Sequence, residues 1–313
     1  MSTTTRSVVL VTGADLAEQA LSLLGDYEVI FAGKTPTEDD IVALCAKYNP
    51  VAIIVRYSKV GDKAMAAAPS LKVISKHGSG TDTIDKVAAR ARGIEVVAAA
   101  GANAAAVAEQ ALALLLACAK SIPALNTRMH GGHWDKATHK SLELGGRTIG
   151  LVGLGAIGQR FARMVDAMGM RVVGFDPYAK DLPDYIQPVD LATIWREADV
   201  ISLHCPLTEE NRNLINAQTL AACRPGVVVV NTARGGLINE TDLLAALQTG
   251  QVASAGLDSF QIEPMTAGHP FQGAANLILS PHIGGVTSDA YVNMGVAAAK
   301  NALEVIARQS VAA

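Results

Sequence analysis

Residues 149–176 read IGLVGLGAIGQRFARMVDAMGMRVVGFD. The stretch holds an apolar strand over 149–152, the glycines Gly153, Gly155 and Gly158 spaced as G-x-G-x-x-G, an amphipathic helix, a second strand over 172–175, and then Asp176. Each part has a task in gripping a dinucleotide. Gly153 permits the tight strand-to-helix turn, Gly155 lets backbone approach a pyrophosphate, and Gly158 lets the helix lie close to the strand. The phosphates are then expected on the positive end of that helix. Asp176 closes the second strand at close to the spacing, about 20 residues, of the acid that hydrogen-bonds a ribose 2′-hydroxyl. A carboxylate there repels a 2′-phosphate, so NAD is expected rather than NADP.

Working outward, 313 residues suffice for two domains, each with its own core. A chain that is 50% hydrophobic and 18% charged reads as globular and excludes extended disorder. A net charge of −3 supplies no field for nucleic acid or anionic lipid, so an anionic substrate must be held by a few placed cations. Cys45, Cys118, Cys205 and Cys223 are scattered and suggest neither a disulfide framework nor a zinc site. The N-terminal MSTTTRSVVLVTG enters a strand without a long apolar signal region, and the apolar stretch 104–119 is interrupted by Glu109 and Gln110. A soluble, cytoplasmic protein with no membrane partner is expected.

Short apolar runs at 8–11, 29–31, 52–55, 73–75 and 95–97 read as strands, alternating with helical patterns near 15–24, 37–48, 62–68 and 84–92. Thr37 and Asp40 resemble a capping box at the second helix. Gly13 ends the first strand without a following G-x-G-x-x-G, so this first series is not expected to hold the dinucleotide. A long helix over 103–120 leads to an irregular stretch at 130–144, and a second β-α series runs from Arg147 to about His282. The alternation predicts two doubly wound parallel sheets in tandem. A last helix, 288–308, needs a surface on which to bury Val292, Val296, Leu303 and Ile306, and the sequence leaves open which domain supplies it.

Three segments beyond the fingerprint each place one reactive side chain after an apolar strand. In VVVVNTARGG, Arg234 follows the strand, where the ligand crevice of an open α/β sheet lies, and its guanidinium can grip a carboxylate. In AGLDSFQIEP the residue is Glu263, and in LILSPHIGGV it is His282. Histidine exchanges protons near neutral pH, and a hydrogen-bonded carboxylate orients it and raises its basicity.

Taken together, KHGSGTDTID (76–85), AEQALALLLA (108–117), GLVGLGAIGQ (150–159), SLHCPLTEENRNLIN (202–216), VNTARGG (230–236), GLDSFQIEP (256–264) and SPHIGG (280–285) resemble the NAD-dependent D-isomer-specific 2-hydroxyacid dehydrogenases, which include phosphoglycerate dehydrogenases, glycerate dehydrogenases and hydroxypyruvate reductases. The resemblance implies an α/β fold in which a Rossmann cofactor domain (102–285) is inserted into a flavodoxin-like substrate domain (1–101 plus 286–313). It implies that Arg234 binds the substrate carboxylate, that His282 is the acid/base and that Glu263 is its partner. Backbone N–H groups around Gly78, Ser79 and Gly80 are implied to cradle the same carboxylate, and a Gly-Ser-Gly turn after a strand suits an anion nest. Arg56 and Ser58 are implied to face the far end of the substrate, Arg56 as a phosphate-binding candidate. Further cofactor contacts carried over by motif are Ala156 and Ile157 at the pyrophosphate, Cys205 and Pro206 toward the adenosine, Thr232 and Ala233, and Asp258 near the nicotinamide amide. Gly284 and Gly285 would let backbone approach the nicotinamide.

The expected reaction is hydride transfer between NAD(H) and a small D-2-hydroxy acid or 2-oxo acid, phosphoglycerate-like or hydroxypyruvate/glyoxylate-like, in a homodimer formed through the 103–120 helix. With no regulatory domain after residue 313, a short form or a different substrate is expected. Other readings are a non-enzymatic NAD(H)-sensing module, or a phosphite or formate dehydrogenase on the same scaffold; Glu263, where formate enzymes carry Gln, counts against the last. His130, His133 and His139 do not define a metal site, since a Gly-Gly loop fixes no ligand geometry. His204 is expected to pack at a strand end, and Trp134 and Trp195 in core or interface.

Overall fold

The computed structural model describes residues 6–311; 1–5, the start of the N-terminal stretch read above, and 312–313 lie outside it. The chain forms two compact units, one running to Asn103 and resuming at Gly285, the other Ala104–Gly284.

The first unit comprises β1 (Val8–Val11), α1 (Glu18–Leu23), β2 (Glu28–Phe31), α2 (Glu38–Tyr48), β3 (Ala52–Val55), α3 (Asp62–Ala66), β4 (Val73–Lys76), α4 (Lys86–Ala91) and β5 (Glu95–Ala98). Its strands are parallel in the order β2-β1-β3-β4-β5, the flavodoxin-like order whose switch point falls between β1 and β3. VVLV and AIIV are apolar without alternation because both faces of a central parallel strand are covered. Val9, Val11, Ile54 and Val73 face one core, and Leu10, Ile53, Val55 and Ile74 the other, as a period of two requires. The second core receives Ile41 and Cys45 of α2, with Met65 of α3. Thr37 and Asp40 form the capping box: Thr37 Oγ1 accepts from the Asp40 N–H at 3.2 Å, and the Thr37 N–H donates to Asp40 Oδ2 at 2.9 Å.

The second unit comprises α5 (Ala104–Lys120), α6 (Ile122–His130), β6 (Thr148–Val152), α7 (Ala156–Ala167), β7 (Arg171–Phe175), β8 (Ile186–Pro188), α8 (Leu191–Glu197), β9 (Val200–Leu203), α9 (Ala217–Ala222), β10 (Val227–Asn231), α10 (Glu240–Thr249), β11 (Val252–Leu257) and β12 (Leu277–Leu279). These strands are also parallel, in the order β12-β11-β10-β9-β6-β7-β8. Counted from β6, that is the Rossmann order 3-2-1-4-5-6 with one more strand at the edge, and its switch point lies between β6 and β9. One face is sealed by α5 and α7, where Phe161, Ala162 and Val165 meet Ile149, Leu151, Val228 and Val230. The other is sealed by α8, α9 and α10 through Ile194, Trp195, Leu220 and Leu243.

The last helix, α11 (Ser288–Val311), lies on the first sheet: Ala298, Ala302, Val305 and Ile306 share a core with β1, β3 and α1, and Val292, Val296 and Leu303 pack at its margin. This is the surface that the sequence left unassigned. Helix α6 was not anticipated by the sequence reading, which began its irregular stretch only at His130. Trp195 is in the core, whereas Trp134 is 75% exposed. Among the described residues no single helix is long and apolar enough to cross a membrane.

Phe161 is fully buried beneath β6, so Phe161→Ala should destabilise the second unit by about 3–5 kcal/mol through lost transfer energy and the cavity left behind. The midpoint of denaturant-induced unfolding, followed by circular dichroism, measures it.

Candidate active site

At the Rossmann switch point the chain turns sharply from β6 into α7. Gly153 has φ +97°, and a Cβ on it would lie 2.6 Å from the Cys205 nitrogen and the His204 carbonyl carbon, at the end of β9. A Cβ on Gly158 would lie 2.2 Å from the Gly153 carbonyl oxygen. Both glycines are therefore demanded by the protein's own packing. Gly155 differs: its φ is −73°, and among the described residues nothing lies within 4 Å of a Cβ built on it.

Helix α7 also begins without a side-chain cap, because its N-cap is Gly155. By contrast, Asp190, Asn216 and Asn239 cap α8, α9 and α10. The first-turn N–H groups of Ala156, Ile157 and Gly158 are thus left to an external acceptor. Asp176 stands opposite, its Oδ2 accepting from the Leu154 N–H at 2.8 Å and its Oδ1 from the Tyr178 N–H at 2.9 Å. These two bonds fix the carboxylate and leave a lone pair on each oxygen. Thr232 Oγ1 is buried and has no partner among the described residues, as a hydroxyl awaiting a bound group would be. An open glycine, an uncapped helix, a fixed acid and an orphaned hydroxyl fit a dinucleotide.

Around this turn, the His204 ring packs tilted against Phe161 with centroids 5.1 Å apart, and its Nε2 contacts Ser202 Oγ at 2.9 Å. Its enclosure pushes its pKa down to about 4. Burial pushes the Cys205 thiol up to about 11. Pro206 is exposed, its carbonyl accepting from Asn211 Nδ2 at 2.7 Å.

The three reactive side chains come from loops after β10, β11 and β12. Asn231 ends β10 fully buried; its Nδ2 donates to the Arg234 carbonyl at 2.9 Å and its Oδ1 accepts from the Ala233 N–H at 2.9 Å, so one side chain shapes the turn that presents Arg234. Gly235 then passes under the next loop, where a Cβ would lie 1.9 Å from the Phe260 carbonyl carbon and 2.4 Å from the Gln261 nitrogen. Contact at this one glycine brings the Arg234 and Glu263 loops together. Glu240 Oε1 holds the Gln261 N–H at 2.8 Å, and Glu263 Oε1 accepts from the Phe260 N–H at 2.9 Å, leaving Oε2 for histidine.

Glu263 Oε2 lies 2.7 Å from Nδ1 of His282. With Nδ1–H donated to the carboxylate, Nε2 is the nitrogen left to exchange a proton. The hydrogen bond to Glu263, working against burial, raises the His282 pKa above 6.5; the Glu263 and Asp258 charges add to the rise, and Arg234 opposes it. Burial would raise the Glu263 carboxyl, but the bonds from His282 and Phe260 and the charges of His282 and Arg234 hold it below its ordinary value. Arg234 is therefore near enough to act electrostatically on both.

Asp258, expected near the nicotinamide amide, also shapes a loop. The side chain is buried, and its oxygens accept from Ser280 Oγ at 2.6 Å, the Ile283 N–H at 3.0 Å and the Gly284 N–H at 2.7 Å. It thereby fixes the 280–284 turn, in which His282 takes a left-handed φ of +54°. Asp258 and Asn231 each stand at the end of an apolar strand, which marks them in the sequence, but the backbone groups they hold are shown only by the fold.

In the first unit, Arg56 follows β3 and pairs with Asp15. Ser58 is buried, its hydroxyl 3.4 Å from the Pro36 carbonyl. Gly78 has φ +137°, opening the turn of Gly78, Ser79 and Gly80, and the Ser79 hydroxyl donates to Asn103 Oδ1 at 3.1 Å. Gly285 belongs to this unit and Gly284 to the other.

Residues 112–284 match the family model described as the NAD binding domain of D-isomer specific 2-hydroxyacid dehydrogenases. The chain is 37% identical to a hydroxypyruvate reductase of Thermotoga maritima over 90% of its own length and 92% of the relative's. It is also 37% identical to a D-3-phosphoglycerate dehydrogenase of Mycobacterium bovis, over 94% of its length but only 56% of that protein, so it spans little more than half of such relatives. The crystal structure of a glyoxylate reductase from Paecilomyes thermophila superposes with a TM-score of 0.87 at 28% identity, covering 96% of this chain and 95% of that one.

Replacing Asp176 by Ala removes a charged acceptor from the candidate dinucleotide site. NADH binding should weaken by roughly ten- to a hundredfold, the value of a charge-assisted hydrogen bond, with preference over NADPH narrowed; fluorescence titration of both nucleotides checks this.

Proposed function

Because the chain belongs to the D-isomer-specific 2-hydroxyacid dehydrogenase family, NAD-dependent oxidoreductases acting on the CH–OH group of hydroxy acids, we propose that it interconverts a small 2-oxo acid and the D-2-hydroxy acid through Arg234, Glu263 and His282. The observation that carries this reading is the 2.7 Å bond between Glu263 and His282 in a domain of the NAD-binding family.

NAD(H) supplies or accepts the hydride. In the reducing direction, His282 protonated at Nε2 donates its proton to the carbonyl oxygen that becomes the hydroxyl, and in the oxidising direction the neutral imidazole takes that proton back. Glu263 holds Nδ1–H, fixes the tautomer and stabilises the imidazolium. Arg234 grips the substrate carboxylate through its planar fork, and its positive charge restrains His282 from binding its proton too tightly. Ala156 and Ile157 receive the pyrophosphate, with Cys205 and Pro206 toward the adenosine; Thr232, Ala233, Asp258, Gly284 and Gly285 serve the nicotinamide half.

The substrates carried in this reading are those of the named relatives, hydroxypyruvate- or glyoxylate-like acids and phosphoglycerate. A cytoplasmic homodimer completes it, and the exposure of the apolar side chains Ile122, Met129 and Trp134 at and after α6 is in keeping with a second copy.

His282→Gln should reduce kcat for 2-oxo acid reduction by at least a hundredfold while leaving NADH affinity unchanged; near-normal turnover across a panel of 2-oxo acids would sink the assignment. The pH profile supplies an independent check. Reduction needs protonated His282, whose pKa is raised, so kcat/KM should hold through pH 6.5 and fall as pH climbs through the raised value, with oxidation rising over the same range. Glu263→Gln removes the largest cause of that rise, and the descending limb should move to lower pH.

A further inference from the structure

Glu263 sits on the long excursion between β11 and β12, in a stretch, residues 261–264, whose every residue is exposed. Burial therefore does little to fix it, and the bonds at the two ends of the stretch decide how steadily its carboxylate is held. Both ends meet one side chain. Glu240, the first residue of α10, accepts from the Gln261 N–H at 2.8 Å through Oε1, and its Oε2 lies 3.2 Å from Nε2 of His269. Asn239 caps that helix, and Gln261 Nε2 adds a 2.7 Å bond to the Ile238 carbonyl, so the Gln261 end is tied to a seated helix start. The His269 end is anchored in turn. Its Nδ1 accepts from the Phe271 N–H at 3.2 Å, which leaves Nε2–H to donate to Glu240, and its ring meets the Phe271 ring edge-on with centroids 5.0 Å apart. Phe271 is fully buried in the core that α8, α9 and α10 seal.

The Glu240 and His269 side chains are only 17% and 14% exposed, so solvent screens their pairing less than it screens the ion pairs of the open surface. One carboxylate thus holds residues 261 and 269, with Glu263 between them. A carboxylate suits this task because both of its oxygens accept, whereas an amide in the same place offers one acceptor and one donor. Resting on the function proposed above, in which Glu263 orients His282, we propose that Glu240 and His269 are positioning residues, a clasp that keeps the Glu263 carboxylate in register with His282 and acts on the reaction only through it. With the clasp open, the exposed stretch moves and Oε2 spends less time within reach of Nδ1. His282 then loses part of the bond that favours its charged form, while Asp258 and Arg234, on loops held by other contacts, still act on it.

The test is a double-mutant cycle on the full chain: wild type, Glu240→Ala, Glu263→Gln and the two combined, with Glu240→Gln and His269→Ala alongside. Each is read by kcat and KM with NADH across a panel of 2-oxo acids and by NMR titration of His282, its signal assigned by its loss in His282→Gln. Glu240→Ala should lower kcat about tenfold, the worth of roughly one hydrogen bond, leave KM for NADH unchanged, and make His282 titrate at lower pH than in the wild type. His269→Ala should do the same, and Glu240→Gln, able to serve one end of the clasp, should fall between. In the Glu263→Gln background, removing Glu240 should change neither reading further. A His282 titration and a kcat unmoved by the Glu240 and His269 substitutions overturn the proposal. So does an equal loss with and without Glu263, the result expected of a carboxylate that merely stabilises the start of α10. Glu240→Gln, which keeps the size of the side chain, carries the same comparison should Glu240→Ala fail to fold. Absence of turnover with every 2-oxo acid in wild-type protein overturns the hydride-transfer reading, while the titration of His282, which needs no turnover, still decides whether the clasp holds Glu263.

Discussion

In the second unit, three loops leave the sheet at one level because β10, β11 and β12 are parallel and aligned: Asn231 pairs with Leu257, and Leu257 with Leu279. Residues just beyond those positions, Arg234, Asp258 and Ser280, therefore start from a common edge, and short loops suffice to gather a guanidinium, a carboxylate and an imidazole. An antiparallel neighbour would have sent one of the three to the far side. The loops are then joined to one another. Gly235 admits the Phe260 backbone, and Asp258 receives the 280–284 turn.

That alignment also explains the division of labour among the acids. Asp258 is buried and spends its oxygens on backbone and hydroxyl donors, so it shapes the turn. Glu263 is on a longer excursion, more exposed, with one oxygen anchored by Phe260 and the other turned to His282. The two carboxylates differ in role because they differ in partners. Both bias His282 toward its charged form, and Arg234 pulls the other way.

Much of this was legible in the sequence. Apolar VVLV and AIIV read as strands and the β-α alternation as parallel sheets, G-x-G-x-x-G marked the tight turn from strand to helix, and Thr37 with Asp40 marked a helix start that the structure reproduces bond for bond. Glu263 and His282 could be named because each follows an apolar strand. Helix α6 escaped notice because Ser121, in a left-handed conformation, breaks it from α5, and its own sequence, IPALNTRMH, has no buried face to impose a period. The three-residue β8, ending at a proline, is an edge strand too short to show alternation. Partnerships between distant side chains were beyond reach for a different reason. Asp15 and Arg56 are brought together by the pairing of β1 with β3, and Asp258 meets the 280–284 turn through that of β11 with β12; residue types alone carry no trace of either meeting.

Burial raises all four thiols, Cys45, Cys118, Cys205 and Cys223, to about 11. The thiolate, the form that reacts, is thus disfavoured at each of them. A single cysteine introduced on the surface would be a selectively labelled site in a chain that already contains four.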